Sequence, residues 1–186
     1  MDGYGTLFLQ NGSVFVGMWK DSKKHGFGKE SWDDGASYEG EFSNNNRHGQ
    51  GNYIFSGGEV YSGGWQNNEI NGWGTLDGRG GTIYQGEWKN NKFHGSGTLH
   101  LRDGARYEGV FAQGLQDGYG VMYYFDGSVY KGGWKQGLKH GLGNMTNVKN
   151  PKLNKEGYWQ EDIFTREVEN SENQQSADPG NSIRPI

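Results

Sequence analysis

Four of the five histidines occupy one recurring place, immediately ahead of a Gly-x-Gly: His25, His48, His94 and His140. Imidazoles at fixed intervals suggest metal ligands or proton carriers. The glycine pairs suggest a phosphate-cradling loop. A third candidate is the carboxylate pair Glu39 and Glu41, spaced to share one strand face, where a raised pKa on one partner would allow acid–base chemistry. Which chemistry is open to them depends on the elements that carry them.

Those elements repeat. Steps of 23 residues from Phe15 reach Tyr38, Tyr61, Tyr84, Tyr107 and Tyr130. Two residues after each comes a glycine, from Gly17 to Gly132, and four after comes Trp19, Phe42, Trp65, Trp88, Phe111 or Trp134. The Gly-x-Gly pairs keep the same phase, from Gly26/Gly28 to Gly141/Gly143, and Gly3/Gly5 extends it backwards. A fixed period of this length marks a stacked-repeat architecture.

Aromatic, glycine and aromatic at i, i+2 and i+4 face one side of a β-strand, with Gln85 and Glu87 on the other. Beyond a turn, Gly95 and Gly97 align with Leu99 and Leu101, again at period two. Asp-Gly pairs such as Asp34-Gly35, Asp103-Gly104 and Asp126-Gly127 mark the next turn. Each repeat reads as a β-hairpin whose glycines let an aromatic ring of a neighbouring strand lie flat on bare backbone. Hydrophobic residues make up only 31% of the chain, yet aromatics alone make 15% and glycine supplies 35 of 186 residues. That composition cannot fill a thick aliphatic core, but it can build a thin aromatic layer. One hairpin is not stable alone, so the repeats must stack. About 14 strands at 4.8 Å each give a ladder about 65 Å long.

Tyr-x-Gly-x-Trp, then His-Gly-x-Gly and Asp-Gly at this period, resembles the MORN repeat (membrane occupation and recognition nexus). The resemblance covers residues 3 to about 143, with a degenerate unit near Gly157 and Trp159. It implies an all-β fold: an elongated, single-layer, twisted antiparallel sheet of stacked hairpins with a short C-terminal cap. The expected layout is a repeat array over 1–157, a cap over 158–169 and a disordered acidic and polar tail over 170–186. Within the array a half repeat spans 3–14 and frames start at 15, 38, 61, 84, 107 and 130. Ile163, Phe164 and Val168 are the expected cap residues, covering the open end of the array.

A ladder answers the opening candidates. Equivalent histidines two strands apart lie about 9–10 Å from one another, a row that does not converge on one ion. No helix follows any Gly-x-Gly, which a nucleotide fingerprint requires. The glutamates fall on the solvated face. Neither Gly-x-Ser-x-Gly nor His-Glu-x-x-His occurs. No catalytic, cofactor or metal site is expected, and the chain reads as a non-enzyme.

Charge bears on partners. The net is −4, with +1 over residues 1–155 and −5 over 156–186. An array so near neutrality does not steer towards nucleic acid. Two local clusters, Lys20, Lys23, Lys24 and Lys131, Lys135, Lys139, are the candidates for anionic lipid, at about 1 kcal/mol per residue. Some MORN relatives bind phosphoinositides, so a peripheral membrane protein is the alternative reading. The first reading is a scaffold or adaptor for a protein partner, and the resemblance implies a cytoskeletal, axonemal or motor component, since MORN proteins occur in cytoskeletal and ciliary settings. For that role the candidate residues are Tyr61, Trp65, Tyr84, Trp88, Tyr107 and Phe111 of the central repeats.

The chain has no cysteine and no apolar run long enough for a signal peptide or membrane span. A cytoplasmic location is expected, with attachment to cytoskeleton, cilium or membrane surface, and the sequons at Asn11 and Asn144 are expected to be idle. Met1-Asp2-Gly3 enters in mid-hairpin, so either the sequence is truncated or its first strand offers an edge to a partner or to a second copy.

Overall fold

The computed structural model describes residues 2–168. The expected tail over 170–186 lies outside the described residues, as does residue 169 at the end of the expected cap. Every strand is paired antiparallel to its sequence neighbours in one open sheet. The first eight are β1 Gly3–Phe8, β2 Val14–Lys20, β3 Lys23–Ser31, β4 Ser37–Ser43, β5 Asn46–Ile54, β6 Val60–Gln66, β7 Glu69–Asp77 and β8 Ile83–Lys89. The others are β9 Lys92–His100, β10 Arg106–Ala112, β11 Leu115–Tyr123, β12 Ser128–Lys135, β13 Leu138–Asn147, β14 Lys155–Gln160 and β15 Ile163–Glu167.

Two kinds of turn alternate along the ladder. The Asp-Gly type joins one repeat to the next. The other closes each hairpin in two residues, both at positive φ: Asn44-Asn45, Asn67-Asn68 and Asn90-Asn91 are examples. Such turns twist with the strands, and asparagine tolerates the left-handed region they need. Successive tight turns also bond to one another. Asn68 donates its backbone N–H to the Arg47 carbonyl and accepts the Arg47 N–H on its Oδ1.

The two glycines of each Gly-x-Gly have different tasks. Gly95, at φ 55°, turns the strand at a bulge where the β8–β9 register shifts. Gly97 is extended and lies beneath a ring: a Cβ built there would fall 2.6–2.8 Å from Tyr84 atoms. The covering ring comes from two strand positions before Gly86, which pairs with Gly97. The ring therefore folds back along its own strand and spans its own glycine and the cross-strand one. For Gly97 it is a neighbouring strand's ring, as the sequence suggested, and for Gly86 it is a ring of the same strand.

Edge-to-face contacts link these rings into one strip. Tyr84 meets Trp88 at 5.2 Å and 89°, and Phe111 of the next repeat at 5.2 Å and 90°. Each pair contributes about 0.5–1.5 kcal/mol beyond burial. The polar tips are satisfied. Tyr84 donates its hydroxyl proton to the Glu87 carbonyl at 2.8 Å, and Trp88 Nε1–H donates to the Gly74 carbonyl at 3.2 Å. Phe42 and Phe111 hold the same place without an N–H, so the site tolerates its loss. Trp88→Phe is therefore expected to cost about 1 kcal/mol in urea unfolding, against about 3–5 kcal/mol for Trp88→Ala.

The C-terminal segment adds a strand pair at the expected end of the array. Over its described part, the expected cap supplies the end of β14 and all of β15, giving a further hairpin and 15 strands. Lys155 stands where the other frames carry tyrosine or, in the first, Phe15, and the nearest atoms to a Cβ at Gly157 would be β15 backbone and not a ring. Phe164 packs on Trp159 at 5.2 Å. The longer step into this hairpin is organised by Asn147, which accepts the Asn150 N–H at 2.8 Å, and by Asn154, which accepts the Asn147 N–H at 2.7 Å.

Candidate partner-docking pocket on the aromatic face

The six aromatic candidates form the core. Tyr61, Tyr84 and Tyr107 are 0–1% exposed, and Trp65, Trp88 and Phe111 at most 7%. Rings folded over glycine leave no surface for a partner. The surface of this face is a second, half-buried row, which includes Tyr53, Phe55, Leu76, Leu99 and Tyr124.

The histidines form their row without convergence. The carbonyls of His48 and His94 are more distant acceptors for the Tyr38 and Tyr84 hydroxyls, at 3.5 and 3.4 Å. Among the described residues no group of three or more His, Asp or Glu is placed to hold a metal. Glu41 and Glu87 brace the bulges, accepting the N–H groups of Gln50 at 2.8 Å and Ser96 at 2.9 Å. Glu39 pairs with Lys29 at 3.5 Å.

Strand alternation divides both lysine clusters. Lys20 pairs across the hairpin with Lys23, but Lys24 pairs with Trp19 and so faces the aromatic side. Lys139 likewise pairs with Trp134, whereas Lys131 and Lys135 face away. The two pairs left on the outer face sit on β2–β3 and β12, about 48 Å apart at 4.8 Å per strand.

On the aromatic side these cations cover rings. Lys24 Nζ lies 4.9 Å from the centroid of Phe15 and 2.5 Å from Glu30 Oε1. Lys139 Nζ lies 4.9 Å from that of Trp159 and 3.8 Å from Asp162 Oδ1. Their equivalent in the second frame, Arg47, stands 4.7 Å from Trp65 and 5.2 Å from Tyr53. Ile70 and Phe93 fill the same place in the next two frames, Phe93 stacked on Tyr84 at 3.7 Å. Sequence reasoning missed this column of residues, although it could be read five positions beyond each Trp or Phe of the frame.

Between Arg47 and the next repeat the covering is incomplete. A pocket of about 460 Å³ opens there, with Trp65 and Trp88 at its base, Tyr53, Phe55 and Leu76 along its sides and Arg47 at one wall. It is the size of a few apolar side chains, and its lining is apolar except at Arg47 and two asparagines. The opposite face also carries exposed rings, Phe27 at 58% and Trp73 at 60%. These stand on β3 and β7, about 19 Å apart, at the two ends of a shallow groove of about 420 Å³ floored by glycine and lined between them by Glu39, Gln50, Asn52, Ser62 and Thr75.

Burial also tunes the core tyrosines. Desolvation raises the hydroxyls of Tyr38, Tyr61 and Tyr84 well above the usual phenol range, and pushes Tyr107 and Tyr130 to about 12.

Comparison with known proteins identifies the repeat. The family model for the MORN repeat matches residues 15–37, 38–60, 61–83, 84–106, 107–129 and 130–149. No curated protein matches the chain. Among solved structures, the chain is similar to the Drosophila melanogaster SAS-4 (dCPAP) TCP domain in complex with a proline-rich motif of Ana2 (dSTIL). Identity there is 10%, coverage 78% of this chain and 84% of that one, and the TM-score 0.42. It is also similar to the wild-type TCP10 domain of Danio rerio CPAP in complex with a STIL peptide, at 17% identity, coverage of 83% and 84%, and a TM-score of 0.36. Overlaps this loose do not bear on function. The six matched units do establish kinship: the chain belongs to the MORN-repeat family.

Proposed function

We propose that this chain is a non-catalytic scaffold that binds a protein partner on the aromatic face, through the pocket between Arg47 and Leu76. The observation that carries this reading is the incomplete covering of the core there: half-buried Tyr53, Phe55 and Leu76 surround an opening above Trp65 and Trp88. Apolar pockets with a few polar groups are the usual form of recognition sites. A cytoskeletal or ciliary partner follows from the family's known settings. The lipid alternative draws less support, because the sheet splits each lysine cluster between its faces and Lys24 already pairs with Glu30.

The test is site-specific photocrosslinking in native cell extract, with the crosslinking side chain at position 55 or at position 27. A discrete protein adduct from position 55, absent from position 27 and lost in Leu76→Asp, is the expected outcome. Adducts only from position 27, or only to lipid, would refute the assignment.

A further inference from the structure

We propose that the partner presents a carboxylate beside an apolar side chain, with the carboxylate closing on Arg47 as the apolar group enters the pocket. This deepens the docking assignment above and rests on it.

The inference comes from comparing three equivalent cations. In each frame two positions can supply a counter-charge: one six residues further along the same strand, the other on the tight turn of the next hairpin. For Lys24 the first is Glu30, which pairs with it at 2.5 Å. For Lys139 the second is Asp162, at 3.8 Å from Nζ. For Arg47 both are neutral, Tyr53 and Asn68, and no carboxylate pairs with Arg47 among the described residues. Its one side-chain hydrogen bond there is from Nη2 to the Asn68 carbonyl, at 3.4 Å. A guanidinium carries five N–H donors, so most of this fork is free.

The setting favours an anion of definite shape. The guanidinium lies over Trp65 and Tyr53, rings that restrict where its fork can swing, and planar forks take carboxylates in bidentate fashion. Apolar neighbours exclude water and strengthen the attraction. The pocket opens beside Arg47, so anion and apolar group must come from neighbouring positions of one segment. An Asp or Glu one or two residues from Leu, Ile, Phe or Met meets that description.

Two variants isolate the charge. Arg47→Gln removes the fork. Asn68→Asp supplies the missing internal anion and keeps the turn backbone, because Asp162 occupies the equivalent place at nearly the same φ, 67° against 69°, and accepts the equivalent N–H from Lys139. The bond from Asn68 Nδ2–H to Asn46 Oδ1 is lost, and the Asn46 amide must turn over to donate in its place. Both variants should stay folded, with melting points within a few degrees of wild type, since each loses only a cation–π contact or one exposed hydrogen bond.

The probe is a random twelve-residue peptide library displayed on phage and selected on the wild-type protein, with Kd then measured by fluorescence polarisation. Selected peptides should pair Asp or Glu with a nearby apolar residue. Their Kd should rise about tenfold or more in both Arg47→Gln and Asn68→Asp, the scale of a charge-assisted pair. Peptides lost in Leu76→Asp but indifferent to Arg47→Gln and lacking acid enrichment would overturn the charge inference and leave the pocket standing. Peptides indifferent to both sites would overturn both. Arg47-dependent binding seen only with phosphatidylserine vesicles, and not with peptides, would also overturn the inference, in favour of a lipid headgroup.

Discussion

Raising the pH from 8 to 11 is expected to unfold the sheet. Five tyrosines, Tyr38, Tyr61, Tyr84, Tyr107 and Tyr130, are essentially fully buried, and desolvation raises every one of their hydroxyls, Tyr107 and Tyr130 to about 12 and the other three further. In the unfolded chain a tyrosine titrates near 10. Because the folded value is the higher one, the unfolded state sheds protons first. The stability is fully present below pH 10 and is lost as pH climbs through the folded values. Each tyrosine then contributes about 1.4 kcal/mol of loss at pH 11, or about 7 kcal/mol for five, comparable to the whole stability of many domains. Tyrosinate absorbance near 295 nm should rise together with the loss of circular dichroism. Ionisation of these residues in a sheet that keeps its dichroism would show that the rings are not sealed.

The second large effect concerns glycine. Gly97→Ala puts a methyl group where Tyr84 ring atoms stand at 2.6–2.8 Å. Backbone strain is not the cause, since Gly97 is absent from the positive-φ positions and alanine usually gains over glycine in a strand interior. The whole cost is steric, about 3 kcal/mol or more, because the ring is enclosed by Trp88, Phe93 and Phe111 and has nowhere to go. Tyr84→Ala alone should cost about 3–5 kcal/mol, as for other large aromatics. The informative variant is the double one. With the ring gone, Gly97→Ala should cost almost nothing, so a urea-unfolding cycle should show a coupling energy close to the single glycine penalty. Additive losses would mean that the ring does not lie on the glycine.

Much of this fold was legible in the sequence because its signals agree. Tyr84, Gly86 and Trp88 at period two specify a strand and its buried face, and their return every 23 residues specifies the stacking. The glycines themselves were legible, but not their division of labour: Gly95 and Gly97 are the same letter, and only backbone geometry separates the bulge from the bare seat. The Asn67-Asn68 turn carried a readable signal that the Asp-Gly pairs overshadowed. Of the last hairpin only the first strand was legible, near Gly157 and Trp159, because β15 lacks the glycine pair that defines its equivalents.

The candidate site was less legible, for a related reason. Lys23 and Lys24 look like one cluster because they are neighbours in sequence, yet alternation sends them to opposite faces. The aromatics chosen as contacts proved to be core because a tyrosine beside glycine folds down, which exposure arguments from sequence do not capture. Arg47 carried no motif at all. Its standing appears only when it is set beside Lys24 and Lys139 in the folded frame.

The order of the strands has a mechanical consequence. β1 and β15 lie at opposite ends of a ladder whose hydrogen bonds run along its length. Tension applied between the two ends therefore loads the bonds one row at a time and does not shear many together. Each yielding hairpin would pay out 23 residues, about 80 Å of extended chain, while the hairpins behind it stay folded. Anchored at both ends, such a chain would act as an extensible tether that lengthens in steps under load and shortens again as each hairpin re-forms on its neighbour.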